Sequence, residues 1–209
     1  MLLLIISFKC DGQKWIDFEY KNGDLVFQDI DCGGLCDAIE TVTPPLGNKR
    51  FSHIGIVYAR KDSVFVIEAI GSNVHMSPIN SFLLRQVDEY GKPKVVVGRL
   101  KRDYSLLGTG AVAYSLKQVG VPYDDEFIYN NSKYYCSELI YDAYKNANGG
   151  KSFFELKPMI FKDPKTGKIF PAWTSYYLKL GKKIPEGKPG CNPGLIANDK
   201  RIDIVAEFY

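Results

Sequence analysis

The stretch Phe51-Ser52-His53-Ile54-Gly55-Ile56-Val57-Tyr58-Ala59-Arg60-Lys61-Asp62-Ser63-Val64-Phe65-Val66-Ile67-Glu68-Ala69-Ile70 decides how the chain is read. β-Branched and aromatic residues dominate both halves, with Lys61-Asp62 between them. It therefore reads as two strands, Ser52 to Arg60 and Ser63 to Ile70, joined in a hairpin. A turn at Lys61-Asp62 pairs Arg60 with Ser63, so Gly55 faces Glu68 and Ala59 faces Val64. His53, Gly55, Val57 and Ala59 then share a face with Val64, Val66, Glu68 and Ile70. On that face His53 and Glu68 are diagonal neighbours, and Gly55 leaves room for the carboxylate to lean toward the imidazole. Glu68 is the only charged residue between Val64 and Ile70. A carboxylate there needs a partner, because an unpaired buried charge is costly, and His53 is the nearest candidate. A one-residue change in loop length would place the two on opposite faces.

Outward from the hairpin, Gly23-Asp24 reads as a turn and Leu25 to Ile30 as a strand. Cys36 to Val42 reads as a short helix ended by Pro44-Pro45. Lys94 to Lys101 is another strand. Tyr104 to Val119 reads as a helix ended by Gly120 and blocked by Pro122, and Tyr135 to Asn146 as a second, ended by Asn148-Gly149-Gly150. Beyond Pro158 the chain is rich in aromatics, Gly and Pro; Phe170 to Tyr177 reads either as a lid or substrate wall or as local core. Ile202 to Phe208 is a last strand. Strands and helices are segregated rather than alternating, which favours an α+β fold over a doubly wound parallel sheet.

The 209 residues fit one domain, and 45% hydrophobic with 24% charged residues excludes a disordered chain. Lys and Arg outnumber Asp and Glu by 27 to 24, and no run of five like charges occurs. Nucleic acid is therefore not expected as the main partner. No apolar run approaches the ~20 residues of a membrane span. Leu2 to Ile6 is apolar and is followed by Ser7, Phe8, Lys9 and Cys10. It lacks a basic n-region and the roughly 7–15 apolar residues of a complete secretory signal. It reads either as the tail of an export signal, with Cys10 a lipid acceptor disfavoured by Lys9, or as a frayed or edge-strand N-terminus. We take 1–16 as an N-terminal extension and 17–209 as a single domain. The oligomeric state is left open.

The five cysteines leave at least one thiol unpaired in a monomer. Cys32 and Cys36 have no matching Cys or His pair nearby, so zinc is not expected. They read as ordinary small residues at a helix start, with a short-loop disulfide as the alternative if the protein is exported. Cys136, in Lys133-Tyr134-Tyr135-Cys136-Ser137-Glu138-Leu139-Ile140-Tyr141, precedes an apolar-periodic stretch and falls in the first turn of a helix. Unpaired N–H groups and the helix dipole there favour a thiolate and cradle an oxyanion. The competing reading is a buried structural cysteine. A cysteine nucleophile needs a basic partner, and the chain has only two histidines, His53 and His75. His75 precedes Met76-Ser77-Pro78 in an expected loop and reads as a surface histidine. Tyr58 and Tyr135 are candidates for lining a substrate cleft, with plain packing as the alternative. Ser137 and Glu138 read as part of the helix N-terminal turn.

Taken together, Asn22-Gly23-Asp24-Leu25-Val26-Phe27, Phe51-Ser52-His53-Ile54-Gly55-Ile56-Val57 and Tyr134-Tyr135-Cys136-Ser137-Glu138-Leu139-Ile140 resemble the YiiX/YebB-like branch of the NlpC-type cysteine hydrolases. Gly120-Val121-Pro122-Tyr123-Asp124 and Pro185 to Pro193 are similar to further segments of that branch. The resemblance implies a circularly permuted papain-like fold, an antiparallel sheet or partial barrel packed against a nucleophile-bearing helix. It also implies a triad of Cys136 as nucleophile, His53 as base and acid, and Glu68 as the group fixing the imidazole. The implied reaction is cleavage of an amide in a cell-wall peptide or small peptide-like substrate through a thioacyl-enzyme. The alternatives are a lipid or thioester acyl hydrolase or acyltransferase with the same triad, or a non-catalytic binding module. No extended apolar segment suited to a lipid groove is evident in the sequence, which ranks the acyl reading second. No metal or organic cofactor is implied, and the cell envelope or periplasm is the compartment that an export signal would give.

Overall fold

The computed structural model describes Trp15 and residues 17–209; the Leu2 to Ile6 run and Cys10 lie outside the described residues. Its strands are β1 (Leu25–Gln28), β2 (His53–Arg60), β3 (Ser63–Ile70), β4 (Asn73–Pro78), β5 (Val95–Leu100), β6 (Lys157–Pro158), β7 (Pro189–Gly190) and β8 (Ile202–Glu207). Its helices are α1 (Gly34–Val42), α2 (Ile79–Leu83), α3 (Leu106–Lys117), α4 (Cys136–Ala147), α5 (Pro171–Leu180) and α6 (Pro193–Ala197). Six strands form one antiparallel sheet in the order β4-β3-β2-β1-β5-β8, and β6 and β7 pair as a separate ribbon. The fold is α+β and permuted papain-like, as the sequence suggested.

The period-2 alternation of the strands builds two cores. Leu25, Phe27, Ile54, Ile56, Ile67 and Val96 pack on one face with Leu139, Ile140 and Tyr144 of α4 and Ala111 of α3. Val26, Val57, Val66, Val95 and Val97 pack on the other with Phe82, Leu83 and Phe208. Both faces are covered, which explains why the central strands read as nearly continuous apolar runs. The β2–β3 hairpin has the expected register, with Arg60 opposite Ser63 and Ala59 opposite Val64. His53 and Glu68 therefore lie on the Val57–Val66 face. His53 is the first residue of β2 and Cys136 the first of α4, so the site forms where these two elements begin.

Three elements differ from the sequence reading. His75 lies in β4, opposite Glu68, and not in a loop. Asn73-Val74-His75-Met76-Ser77 does alternate as a strand's residues do, but the run is short and stops at Pro78, which favours a turn reading. Cys32 and Cys36 are joined in a disulfide with their Cα atoms 5.3 Å apart, and are not merely small residues at a helix start. Gly33, at φ 73°, and Gly34 let the chain fold back tightly enough for that closure. Finally, the aromatic, Gly/Pro-rich tail holds α5, α6 and the β6–β7 ribbon. Pro171 and Pro193 open the two helices in their first turns, where a missing N–H costs nothing.

Gly55 is required by packing. A Cβ there would lie 2.3 Å from Val66 Cγ1 and 3.4 Å from Glu68 Cβ. Gly55→Ala is expected to lower stability by about 1–3 kcal/mol, the usual cost of overpacking a core. Urea unfolding measures this, and Val66→Ala in the same background should recover part of the loss.

Candidate active site

Glu68 is fully buried, and every group around it donates to it. Its Oε2 is 2.6 Å from His53 Nε2. Ser77 Oγ donates to Oε1 at 2.6 Å, and Arg85 donates from Nη1 to Oε2 at 2.9 Å and from Nη2 to Oε1 at 2.5 Å. His75 Nε2 stands 3.9 Å from Oε1 with its side chain 41% exposed, at the edge of the cluster. Arg85 lies over the Phe82 ring and also donates to Gln28 Oε1 at 3.3 Å, while Gln28 Nε2 donates to the Phe82 carbonyl at 2.8 Å. Every polar member of this buried network has a partner. Burial pushes the Glu68 pKa up, but the His53 and Arg85 hydrogen bonds and charges outweigh it and hold the carboxyl well below its ordinary range. Ser77 and Arg85 were missed from sequence. Arg85 lies on the segment after α2, where no local pattern marks it.

His53 is 4% exposed. Burial lowers its pKa. Hydrogen bonds with Cys136 and Glu68, and then the charges of both, outweigh that effect and push it up to about 9. With Nε2 on the carboxylate, Nδ1 is the nitrogen left for the thiol. The three residues singled out in the sequence thus meet in one place: thiol, imidazole and carboxylate, in that order.

Cys136 opens α4 after extended Tyr135, so the first amides of the helix are free of intrahelical partners. Neighbouring side chains lock that turn. Ser137 Oγ donates to the Cys191 carbonyl at 2.9 Å, and the Cys191 amide donates to Tyr135 Oη at 3.2 Å. Glu138 is fully buried and its Oε1 accepts from the Asn130 amide at 2.7 Å. Burial, with Asp124 and Asp142 nearby, pushes its pKa up to about 8 against the two amides that hold it. Ser137 and Glu138 thus tie the helix start to the loops on either side. Burial pushes the thiol of Cys191 far up, so it is an inert neighbour.

A cavity of about 260 Å³ opens beside Cys136. Its walls are mostly apolar: Ile39 and Val42 of α1, Phe127, Met159, Phe161 and Trp173. Tyr135 lines it, as expected of a cleft residue. Tyr58 does not; it packs against the core on the opposite side of β2 from His53. Trp173 both lines the cavity and is 3% exposed, so Phe170 to Tyr177 is wall and core at once. The sequence showed no extended apolar segment suited to a groove, and the cavity is consistent with that, because its apolar lining comes from several separate segments and forms no run. Tyr123 lines the cavity and senses the charge at Cys136; burial first, and that charge second, hold its phenol well above the ordinary value. Its hydroxyl has no side-chain or backbone partner among the described residues. Its place in the Gly120–Asp124 segment was its only signal in the sequence.

Among the described residues, no three His, Cys, Asp or Glu side chains are grouped so as to hold a metal ion. Residues 19–206 match the model of the family described as permuted papain-like amidase enzymes, YaeF/YiiX, C92. The chain is 31% identical to the uncharacterised protein YiiX of Escherichia coli (strain K12), over 100% of this chain and 96% of that protein. A crystal structure described as that of metalloprotein yiiX from Escherichia coli O157:H7 superposes with a TM-score of 0.74 at 24% identity, covering 92% of this chain and 99% of that one. At that identity the likeness speaks for the fold alone.

The two pKa shifts set a stability window. Glu68 is depressed from 4.5, so its contribution is complete above about pH 4.5 and fades as pH falls below it. His53 is raised from 6.5 to about 9, so its contribution is complete below 6.5 and is lost as pH rises through 9. Chemical denaturation across pH should show both limbs, and Glu68→Gln should flatten them. Arg85→Met, which leaves the buried carboxylate short of a partner, is expected to cost about 3 kcal/mol near pH 6.

Proposed function

The chain belongs to the permuted papain-like amidase family of cysteine hydrolases, and from that premise we propose that Cys136, His53 and Glu68 are its catalytic triad. The observation that carries this reading is the 2.6 Å contact between His53 and Glu68, with Cys136 acting on the same imidazole. The Cys136 thiolate attacks the carbonyl carbon, and a C–S bond forms. The oxyanion is held by the Cys136 amide and the Tyr123 hydroxyl, a donor kept protonated by its surroundings. The His53 imidazolium gives its proton to the leaving nitrogen as the C–N bond breaks. His53 then takes a proton from water, which attacks the thioester, releases the carboxylic acid and restores the thiolate. Glu68 stays ionised throughout and fixes which nitrogen faces the thiol.

The substrate reading is an amide in a cell-wall peptide or other small peptide-like molecule. One observation favours a second reading. The apolar walls of the cavity suit an acyl chain, so a lipid or thioester acyl group is the competing substrate for the same triad. The Cys32–Cys36 disulfide supports export to an oxidising compartment such as the periplasm.

Iodoacetamide labelling followed by mass spectrometry at each cysteine tests the triad. Cys136 should label quickly below pH 8, and His53→Ala should slow it by about 100-fold or more; equal slow labelling in both proteins defeats the proposal. The alkaline limb of kcat/KM should fall near pH 9, where His53 loses its proton, and should move down in Glu68→Gln. Peptide p-nitroanilides and p-nitrophenyl esters of increasing chain length separate the two substrates. For an acyl substrate, kcat/KM should rise about fourfold per methylene buried in the cavity; a flat ester series with turnover of the amide selects the peptide.

A further inference from the structure

The net charge of +3 conceals a strong asymmetry. Residues 151–190 carry nine lysines and three acidic residues, whereas the rest of the chain carries 18 basic and 21 acidic ones. All nine lysines are exposed. This same segment builds one wall of the cavity, through Lys157, Pro158, Met159, Ile160 and Phe161.

Backbone pairing gathers several of these lysines on one small platform. β6 pairs with β7, so Lys157 lies opposite Gly190 and Pro158 opposite Pro189, and the Met159 amide donates to the Lys188 carbonyl. Lys162 bridges to Ile169, which brings Lys168 beside it, with Lys165 in the turn between. Two of the three acids are engaged in holding backbone. Asp163 accepts from the Lys165 amide, and Glu186 from the Phe161 amide. Among the described residues, Lys165, Lys168 and Lys188 have no acidic side chain within salt-bridge distance; Lys157 and Lys162 reach Glu155 and Glu186. On the same segment, Ile160 is 52% exposed and lines the cavity, next to exposed Pro158.

We infer that this lysine platform is a docking face for an anionic phospholipid bilayer, which holds the mouth of the cavity against the membrane surface. Exposed lysines beside exposed apolar residues are what interfacial binding uses: charge draws the face to anionic headgroups, and the apolar residues enter the boundary layer. A soluble polyanion would use the lysines but leaves Ile160 and Pro158 without a role. The inference is independent of whether the substrate is a peptide or an acyl group.

The test is sedimentation of the full chain with large unilamellar vesicles, one set of phosphatidylcholine alone and one containing about a third phosphatidylglycerol, at low and at high salt. Binding is expected only to the anionic vesicles and should fall as salt rises. Replacing Lys165, Lys168 and Lys188 together by Gln should weaken it on the order of 100-fold, about fivefold for each lysine. The same three positions changed to Arg should retain it. All these proteins share one N-terminus, so residues 1–16 do not contribute to the difference. Cys136→Ala should bind as the wild type does, which separates failure of the docking face from failure of the triad. No binding to anionic vesicles, equal binding to both sets, an unaffected Gln variant, or binding to heparin in place of vesicles would overturn the inference.

Discussion

The ionised carboxylate of Glu68, buried without contact to solvent, is the constraint on which the rest of the site depends. A charge in that position is tolerated only when several donors surround it. Here they come from three places: His53 on β2, Ser77 on β4, and Arg85 from beyond α2, the last also donating to Gln28 on β1. Meeting the needs of one side chain thus fixes the relative positions of three adjacent strands and the segment after α2. The imidazole is one of those donors. Its orientation is therefore a by-product of satisfying the carboxylate, and the nitrogen it leaves over faces the thiol.

The hairpin part of this was legible in sequence because it is local. A turn at Lys61-Asp62 sets the register, the register sets the faces, and Gly55 opposite Glu68 makes room for the pair. Cys136 was legible for a similar reason, since an apolar-periodic stretch beginning at one residue marks a helix start. Arg85 and Ser77 were not, because their roles arise from contacts across the sheet and leave no periodic mark. β4 was overlooked although its residues alternate as a strand's do, because the run is short and stops at Pro78. The disulfide was open from sequence because Cys32-Gly33-Gly34-Leu35-Cys36 permits either a helix start or a closed turn. In fact it holds both: the turn closes at Gly33 and α1 starts at Gly34.

The cavity was the least legible feature, for a physical reason. Its apolar lining is shared among α1, the loop before α4 and that helix's first turn, the stretch from Lys157 to Phe161, α5 and the stretch from Cys191 to Leu195, and no one of these is apolar enough to stand out. An apolar pocket assembled from scattered single residues has no signature in composition. The disulfide just ahead of α1 and the Trp173–Phe161 contact, with ring centroids 4.9 Å apart, hold two of those walls to the body of the fold.

The molecule thereby divides its tasks between two kinds of structure. The groups proposed to carry out bond breaking sit on the central sheet and the start of α4, where most neighbours are buried and small displacements are resisted by close packing. The cavity wall is drawn in part from the segment after α4, which contributes short strands, turns, lysines and one edge strand of the sheet. Substitutions in that later segment can alter what enters the cavity without disturbing the His53–Glu68 pair, because no residue of it contacts that pair by hydrogen bond. For this chain, the segment after α4 supplies part of the mostly apolar cavity wall together with the exposed lysines beside it. They bear on which molecules reach the thiol, whereas the buried carboxylate bears on what the thiol can do to them.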